Sequence, residues 1–267
     1  MDILIPALTI GTLGLLFGIG LFYAMKVFYV TVDQNVEKVS ALLAGSNCGA
    51  CGFAGCMMYA EALVGGQTKE ANLCKPAGHD KAQKIAELLG LQFKADHKRV
   101  AVIHCGADAS QRKKTAAYYG PATCKAANLV PNGALACSFG CLGFGDCALI
   151  CPFDAISMAS GLPRVDLEKC TSCGKCVSVC PRRLFKLEPI INERVVVIAC
   201  NSRDKGRKVR QICPVGCIAC GVCEKATLGA FKVEDNLALP HYDKATIQTD
   251  WDAAVEKCPM KTIRRIV

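Results

Sequence analysis

Four cysteines within eleven residues, Cys170-x2-Cys173-x2-Cys176-x3-Cys180, followed at once by Pro181, constrain this chain more than any other feature. Thiolates at intervals of three wrap a tight loop around one polynuclear centre, and the proline turns the chain away after the last of them. In this pattern three cysteines hold one [4Fe–4S] cluster and the fourth reaches a neighbouring one. Zinc is the competing reading, but a tetrahedral ion uses two Cys-x-x-Cys pairs separated by a longer loop. The chain has 20 cysteines in 267 residues. Disulfide frameworks belong to short secreted domains. A long, basic chain rich in Cys-x-x-Cys units, several ending in Cys-Pro, points to metal sites instead.

The partner of this run is Cys141-x5-Cys147-x3-Cys151-Pro152, in which Phe144 stands where a middle cysteine is expected. Cys137, just ahead of Cys141, is the replacement nearest in the chain. The crossing rule then groups Cys137, Cys141, Cys147 and Cys180 on one cluster, and Cys151, Cys170, Cys173 and Cys176 on the other. Grouping in sequence order is the simpler alternative, and the same eight residues are ligands either way.

An internal repeat extends this logic. The strand-like RVAVIHC (99–105) has an echo in RVVVIAC (194–200), and each is followed by a basic stretch and a dense cysteine motif. The second copy carries Cys213, Cys217, Cys220 and Cys223, then Thr227 where the Cys-Pro cysteine should stand. Its closing half-motif, beginning at Ala245, has lost its three leading cysteines and keeps Cys258-Pro259. In a crossed module Cys217, Cys220, Cys223 and Cys258 hold one cluster, and the twin is deleted.

Nearer the N-terminus the spacing is Cys48-x2-Cys51-x4-Cys56-x17-Cys74. Gly49, Gly52 and Gly55 let the backbone approach a cluster, and a helix over 57–63 aims its amide end at it. Zinc is less strongly excluded here. A c-type haem needs histidine after Cys51, where Gly52 stands. Cys105, Cys124, Cys200 and Cys213 remain and have two readings. They are a symmetric ligand set joining the copies, giving a fifth cluster beside the four above, or they are small buried core residues.

Residues 3–30 are apolar except for Thr9, Thr12 and Lys26, enough to cross a bilayer core of about 30 Å. A cleaved signal would have a basic start and a shorter apolar core. Lys26 and Lys38 flank the C-terminal side and Asp2 the other, which puts the bulk of the chain in the cytoplasm. Gly14 and Gly18 form a face that packs another membrane helix or simply meets lipid. Asp33 caps a helix over 34–44, and a second helix covers 80–89 before a strand over 99–104. Gly45, Gly65 and Gly66 are hinges or plain turns.

The formal charge of +9 counts every cysteine as neutral. A loaded cluster with its four thiolates carries about −2, so the basicity offsets clusters and does not indicate nucleic acid. Aromatics are 6% of the chain, with no basic stretch interleaved with stacking residues. His104 reads as a packed residue, not a cluster ligand. The glycines of GCLGFGDC do not join a strand to a helix as a dinucleotide site requires. No nucleophile with its base is evident, so catalytic residues are none and the chemistry belongs to cofactors. The basic runs 112–114 and 203–210 dock an acidic redox partner or form a solvated face.

An N-terminal span, the Cys48 to Cys74 group and then ferredoxin motifs, in that order along the whole chain, resemble the B subunits of Rnf ion-translocating electron transport complexes. That resemblance implies an electron-transfer subunit of a ferredoxin:NAD+ oxidoreductase that couples electron flow to sodium or proton transport. It implies soluble ferredoxin as donor, membrane and flavin-bearing subunits as acceptors, and a seat in the cytoplasmic membrane. The reduced last module departs from longer relatives. An electron-delivery subunit of another membrane-bound reductase is the alternative. The expected architecture is α+β: a transmembrane anchor (1–30), a small helical four-cysteine domain (31–92), a two-cluster ferredoxin-like module (98–193) and a reduced one (194–267). Anaerobic purification should yield a brown protein with about four irons per cluster. A colourless protein with stoichiometric zinc would sink the cluster reading.

Overall fold

The structure, a computed structural model, describes residues 4–28, 33–93, 98–190, 195–244 and 249–266. Arg194 and Ala245, where two of the expected segments begin, and the end of the expected span at 29–30 lie outside them. Helix α1 (Leu4–Val27) is apolar on every side and exposes its large side chains, Leu16 and Phe22 among them. Water does not support such a surface. Ala7–Val27 is long and apolar enough to cross a membrane, alone in this among the described residues. A Cβ added at Gly14 or Gly18 would meet nothing within 4 Å, so any helix packed there comes from outside the described chain.

Three helices follow, α2 (Gln34–Leu42), α3 (Cys56–Val64) and α4 (His79–Leu89), around a core of Val36, Val39, Tyr59, Leu63 and Ile85. The Asp33 carboxylate accepts from the Asn35 N–H at 2.8 Å and starts α2. That helix ends two residues before the expected Ala44, because Leu43 turns to an extended conformation and is buried. Gly90, in the left-handed region, ends α4. Gly66 is a turn, its N–H donating to Leu63 O as the chain leaves α3.

The remainder repeats one pattern twice. In the first copy β1 (Arg99–Ile103) leads through α5 (Cys124–Ala127) and α6 (Asp146–Leu149) to the hairpin β2 (Ile156–Ala159) and β3 (Leu162–Val165). It closes with α7 (Lys175–Val179) and β4 (Phe185–Pro189), which pairs antiparallel with β1. In the second copy β5 (Val196–Ile198) leads through α8 (Gly206–Ile212) and α9 (Val222–Ala226) to the hairpin β6 (Phe231–Glu234) and β7 (Leu237–Pro240). There α10 (Trp251–Lys257) and β8 (Ile263–Arg265) close the unit, with β8 antiparallel to β5. Each hairpin turns on two residues of positive φ, Ser160-Gly161 and Asp235-Asn236.

After Arg99 the echoing strands are apolar because both of their faces are buried. Val100 and Val102 meet Val195 and Val197 across the seam between the copies, while Ala101 and Phe185, and Val196 and Ile198, face their own modules. His104 continues the seam-facing alternation. Its Nδ1 lies 2.9 Å from Ile198 O and its Nε2 3.0 Å from Glu188 Oε1, in keeping with a packed residue. Cys105, one residue on, packs with Cys141, Leu162 and Leu184 of its own module and with Cys213 and Val215 of the other.

Where the second copy lacks three cysteines, carbon fills the space. Phe231, fully buried, meets the Trp251 ring edge-on at 5.5 Å, and Tyr242 lies 5.8 Å from Trp251 on the other side. Thr227 Oγ1 accepts from the Phe231 N–H at 2.9 Å. Cys151 Sγ does the same for Ala155 in the first copy, so hydroxyl has replaced sulfur in one hydrogen-bonded turn. Phe231→Ala should cost about 3–5 kcal/mol. The emission of Trp251, the only tryptophan, reports that loss in a denaturant titration; an unchanged midpoint would show that the aromatic cluster does not support the module.

Candidate iron–sulfur centres

Four hollows in the two modules are each lined by four cysteines, and three of them are built on the ferredoxin motifs. The first takes Cys170, Cys173 and Cys176 from the loop entering α7, and Cys151 from the end of α6. Left-handed Ser172 and Gly174 fold that loop back on itself, which brings three sulfurs to one side. The third hollow has the same logic in the second copy: Cys217, Cys220 and Cys223 come from the loop entering α9, and Cys258 from the end of α10. The crossed grouping describes both hollows, and the sequential one does not.

The second hollow differs from expectation. It is lined by Cys141, Cys147 and Cys180, and its fourth cysteine is Cys124, not Cys137. The cause is Asp146, whose carboxylate accepts from the backbone N–H groups of Cys124 at 2.9 Å and Lys125 at 3.1 Å. It thereby ties the start of α5, itself capped by Thr123, to the start of α6. Cys124 fills the gap left by Phe144, whose ring has turned aside onto Tyr118 at 5.5 Å. Cys137 is held elsewhere: Arg182 donates to Cys137 O at 3.0 Å and Gly140 O at 3.1 Å, and the sulfur lines a separate hollow with Cys105, Cys200 and Cys213. A capped turn beginning at cysteine, Thr123-Cys124, is the one sequence signal that could have pointed to Cys124.

In the membrane-proximal domain Cys51, Cys56 and Cys74 pack against one core, close enough that each anion would raise the Cys74 thiol. Asn47, at positive φ, accepts from the Cys56 N–H through Oδ1 at 2.8 Å and closes the glycine-rich loop onto the start of α3. Cys48 lies within electrostatic reach of Cys173, which brings this domain beside the first hollow.

Among the described residues no three His, Cys, Asp or Glu side chains converge tightly enough for a single metal ion. Four thiolates on one zinc would stand only about 4 Å apart. The cysteines instead line each of the three hollows four at a time, a donor set that fits a polynuclear cluster of the kind four thiolates bind. Backbone N–H groups point at the sulfurs: Ala101 at Cys170, Leu184 at Cys180 and Thr262 at Cys258, at 3.4–3.5 Å. Such bonds stabilise thiolate and raise a cluster's potential. Burial works the other way on the free thiols, pushing Cys141, Cys147 and Cys176 up to about 12 and Cys223 to about 11. Arg112, expected on a basic surface, is turned inward, donating to Cys141 O and to Gly161 O.

Comparison with known proteins agrees with this chemistry. An Fe–S cluster family model matches residues 43–76, and a 4Fe-4S binding domain matches residues 163–184. The chain is 43% identical over 263 residues to the B subunit of the Na+-translocating ferredoxin:NAD+ oxidoreductase complex of Acetobacterium woodii, covering 98% of this chain and 77% of that one. It is 41% identical to the proton-translocating counterpart of Clostridium ljungdahlii, covering 100% and 94%. Against the B subunit of the ion-translocating oxidoreductase complex of Methanosarcina acetivorans it is 36% identical, covering 94% of each.

The thiol shifts give a signed prediction for the metal-free chain. Each folded-state pKa lies above the unfolded value near 9, so the stability these thiols confer is complete below about pH 9 and is lost as pH rises toward about 12. The thermal midpoint of metal-free protein should therefore fall across that window. Cluster-loaded protein, with its thiolates already ligated, should hold its midpoint through the same range.

Proposed function

This chain belongs to the B-subunit family of ion-translocating ferredoxin:NAD+ oxidoreductase complexes, and on that premise we propose that it carries electrons from soluble ferredoxin to the membrane and flavin-bearing subunits. It holds four [4Fe–4S] clusters on the quartets Cys48/Cys51/Cys56/Cys74, Cys151/Cys170/Cys173/Cys176, Cys124/Cys141/Cys147/Cys180 and Cys217/Cys220/Cys223/Cys258. The observation that carries this reading is the three cysteine-lined hollows, each closed by one cysteine from the opposite half of its motif or, at Phe144, from a capped turn. When bound, such clusters take up and release one electron each.

The protein's own part is to supply thiolates, exclude water and set the local field. Cys220 is the one exposed cysteine among the twenty, so the second module offers an edge to an outside redox partner. The other nineteen are buried or half-buried, which keeps bound clusters away from solvent. Helix α1 anchors the chain as a single span, and Lys26 and Lys38 on its C-terminal flank support a cytoplasmic position for the modules. The short sequence reach between α1 and the Cys48 group keeps the cysteines near the membrane.

Membranes from a strain lacking the gene should lose ferredoxin-dependent NAD+ reduction and regain it with the full chain. Undiminished activity would contradict the assignment. In the purified full chain, Cys258→Ala should remove about four irons, whereas Thr227→Val should keep them all. Retention of iron by Cys258→Ala would refute the crossed quartet of the second module.

A further inference from the structure

The hollow that holds Cys137 lies at the seam between the copies and is lined by Cys105, Cys137, Cys200 and Cys213. We propose that these four cysteines bind a fifth [4Fe–4S] cluster, shared by the two modules, which completes the use of all twenty cysteines. The proposal rests on the reading of the other quartets as cluster ligands, and extends it to a site that neither ferredoxin motif contains.

The repeat is the first argument. Cys105 follows the β1 segment as Cys200 follows β5, and Cys137-Ser-Phe-Gly-Cys141 corresponds to Cys213-Pro-Val-Gly-Cys217. Each copy thus contributes the same pair, and the two pairs line one hollow. Core cysteines have no reason to meet four at a time from corresponding places in two copies. Mutual proximity is the second argument. Cys137 stands within electrostatic reach of both Cys105 and Cys213, Cys213 of Cys105, and Cys200 of Cys137.

The surroundings are those of the other centres. The Ser202 N–H donates to Cys200 Sγ and the Cys141 N–H to Cys105 Sγ, both at 3.4 Å. The hollow gathers four cysteines, as each of the other three does, but draws them in pairs from both copies. Arg182 clasps the Cys137 to Gly140 turn, and its half-buried guanidinium feels Cys137, Cys141, Cys180 and Cys105 together, a cation set between two anionic centres. From the other module Arg264 donates to Gly106 O at 2.9 Å and fixes the residue after Cys105. A Cβ at Gly216 would stand 2.4 Å from Val209 Cγ1, so glycine is required for the chain to leave Cys213 toward Cys217 at this distance from α8.

The position also makes sense of the array. Cys141, of the neighbouring quartet, donates its N–H to Cys105, and the backbone of Cys217, of the quartet beyond, reaches the Cys200 sulfur. The seam site therefore stands between the quartets of the two modules, with a direct polypeptide contact to each.

The test uses full-length protein purified anaerobically in detergent, with iron and acid-labile sulfide counted per chain and the intact cofactor load read by native mass spectrometry. Wild type should carry about twenty irons, in five cubane increments, where four clusters give about sixteen. Cys105→Ala, Cys137→Ala, Cys200→Ala and Cys213→Ala should each lose about four irons, and the Cys137→Ala/Cys200→Ala pair no more than either alone. Cys137→Ala with Cys173→Ala should lose about eight. A wild-type load of sixteen irons, full iron in Cys200→Ala, or an eight-iron loss in the Cys137/Cys200 pair would each overturn the proposal. Should the variants not fold, the wild-type count decides. A wild-type chain without iron would instead defeat the cluster reading of every quartet.

Discussion

The arrangement depends on a strand buried on both faces. Because β1 and the strand segment at 195–198 bury one set of alternate side chains in their own modules, the other set is free to make the valine seam. The seam brings the ends of the two strands together, and those ends carry His104, Cys105 and Cys200. A one-residue slip of either strand would exchange its two faces and take Cys105 or Cys200 out of reach of its partners. The apolar seam thus fixes polar chemistry at its edge, and no loop between the modules has to do so.

The second constraint is charge. Thiols buried to this degree resist ionisation, and four of them collected in one place resist it more. The protein answers with backbone N–H groups directed at sulfur and with arginines drawn inward. Arg112 donates to Cys141 O and Arg182 to Cys137 O and Gly140 O, which sets guanidinium charge beside the cysteine turns. A loaded cluster with its four thiolates carries about −2, so each filled site offsets two charges of the formal +9.

Much of this could be read from residue spacing. The cysteine triplets that line one side of two hollows follow from the interval of three, because local turn geometry decides them. The repeat and the cap at Asp33 are legible for the same reason. Cys124 was not, since it stands seventeen positions before Cys141 and the agent that returns it is a tertiary bond from Asp146. Sequence proximity favoured Cys137 instead, yet the C-x-x-G-C turn it opens points the first sulfur outward to the sister copy. Arg112 misled similarly, because composition places a charge run on the surface and only the fold reveals a carbonyl waiting for one member of it.

The aromatic plug of Phe231, Trp251 and Tyr242 makes two sister modules unequal. Two equal copies would offer the same cysteine-lined hollows at either end. Filling one position with hydrocarbon breaks that equality. One end of the array now lies against the anchored helical domain through Cys48 and Cys173, and the other stops at a quartet whose Cys220 faces solvent. The two copies are therefore unequal, one set beside the helical domain and the other ending at a hollow with an exposed thiol.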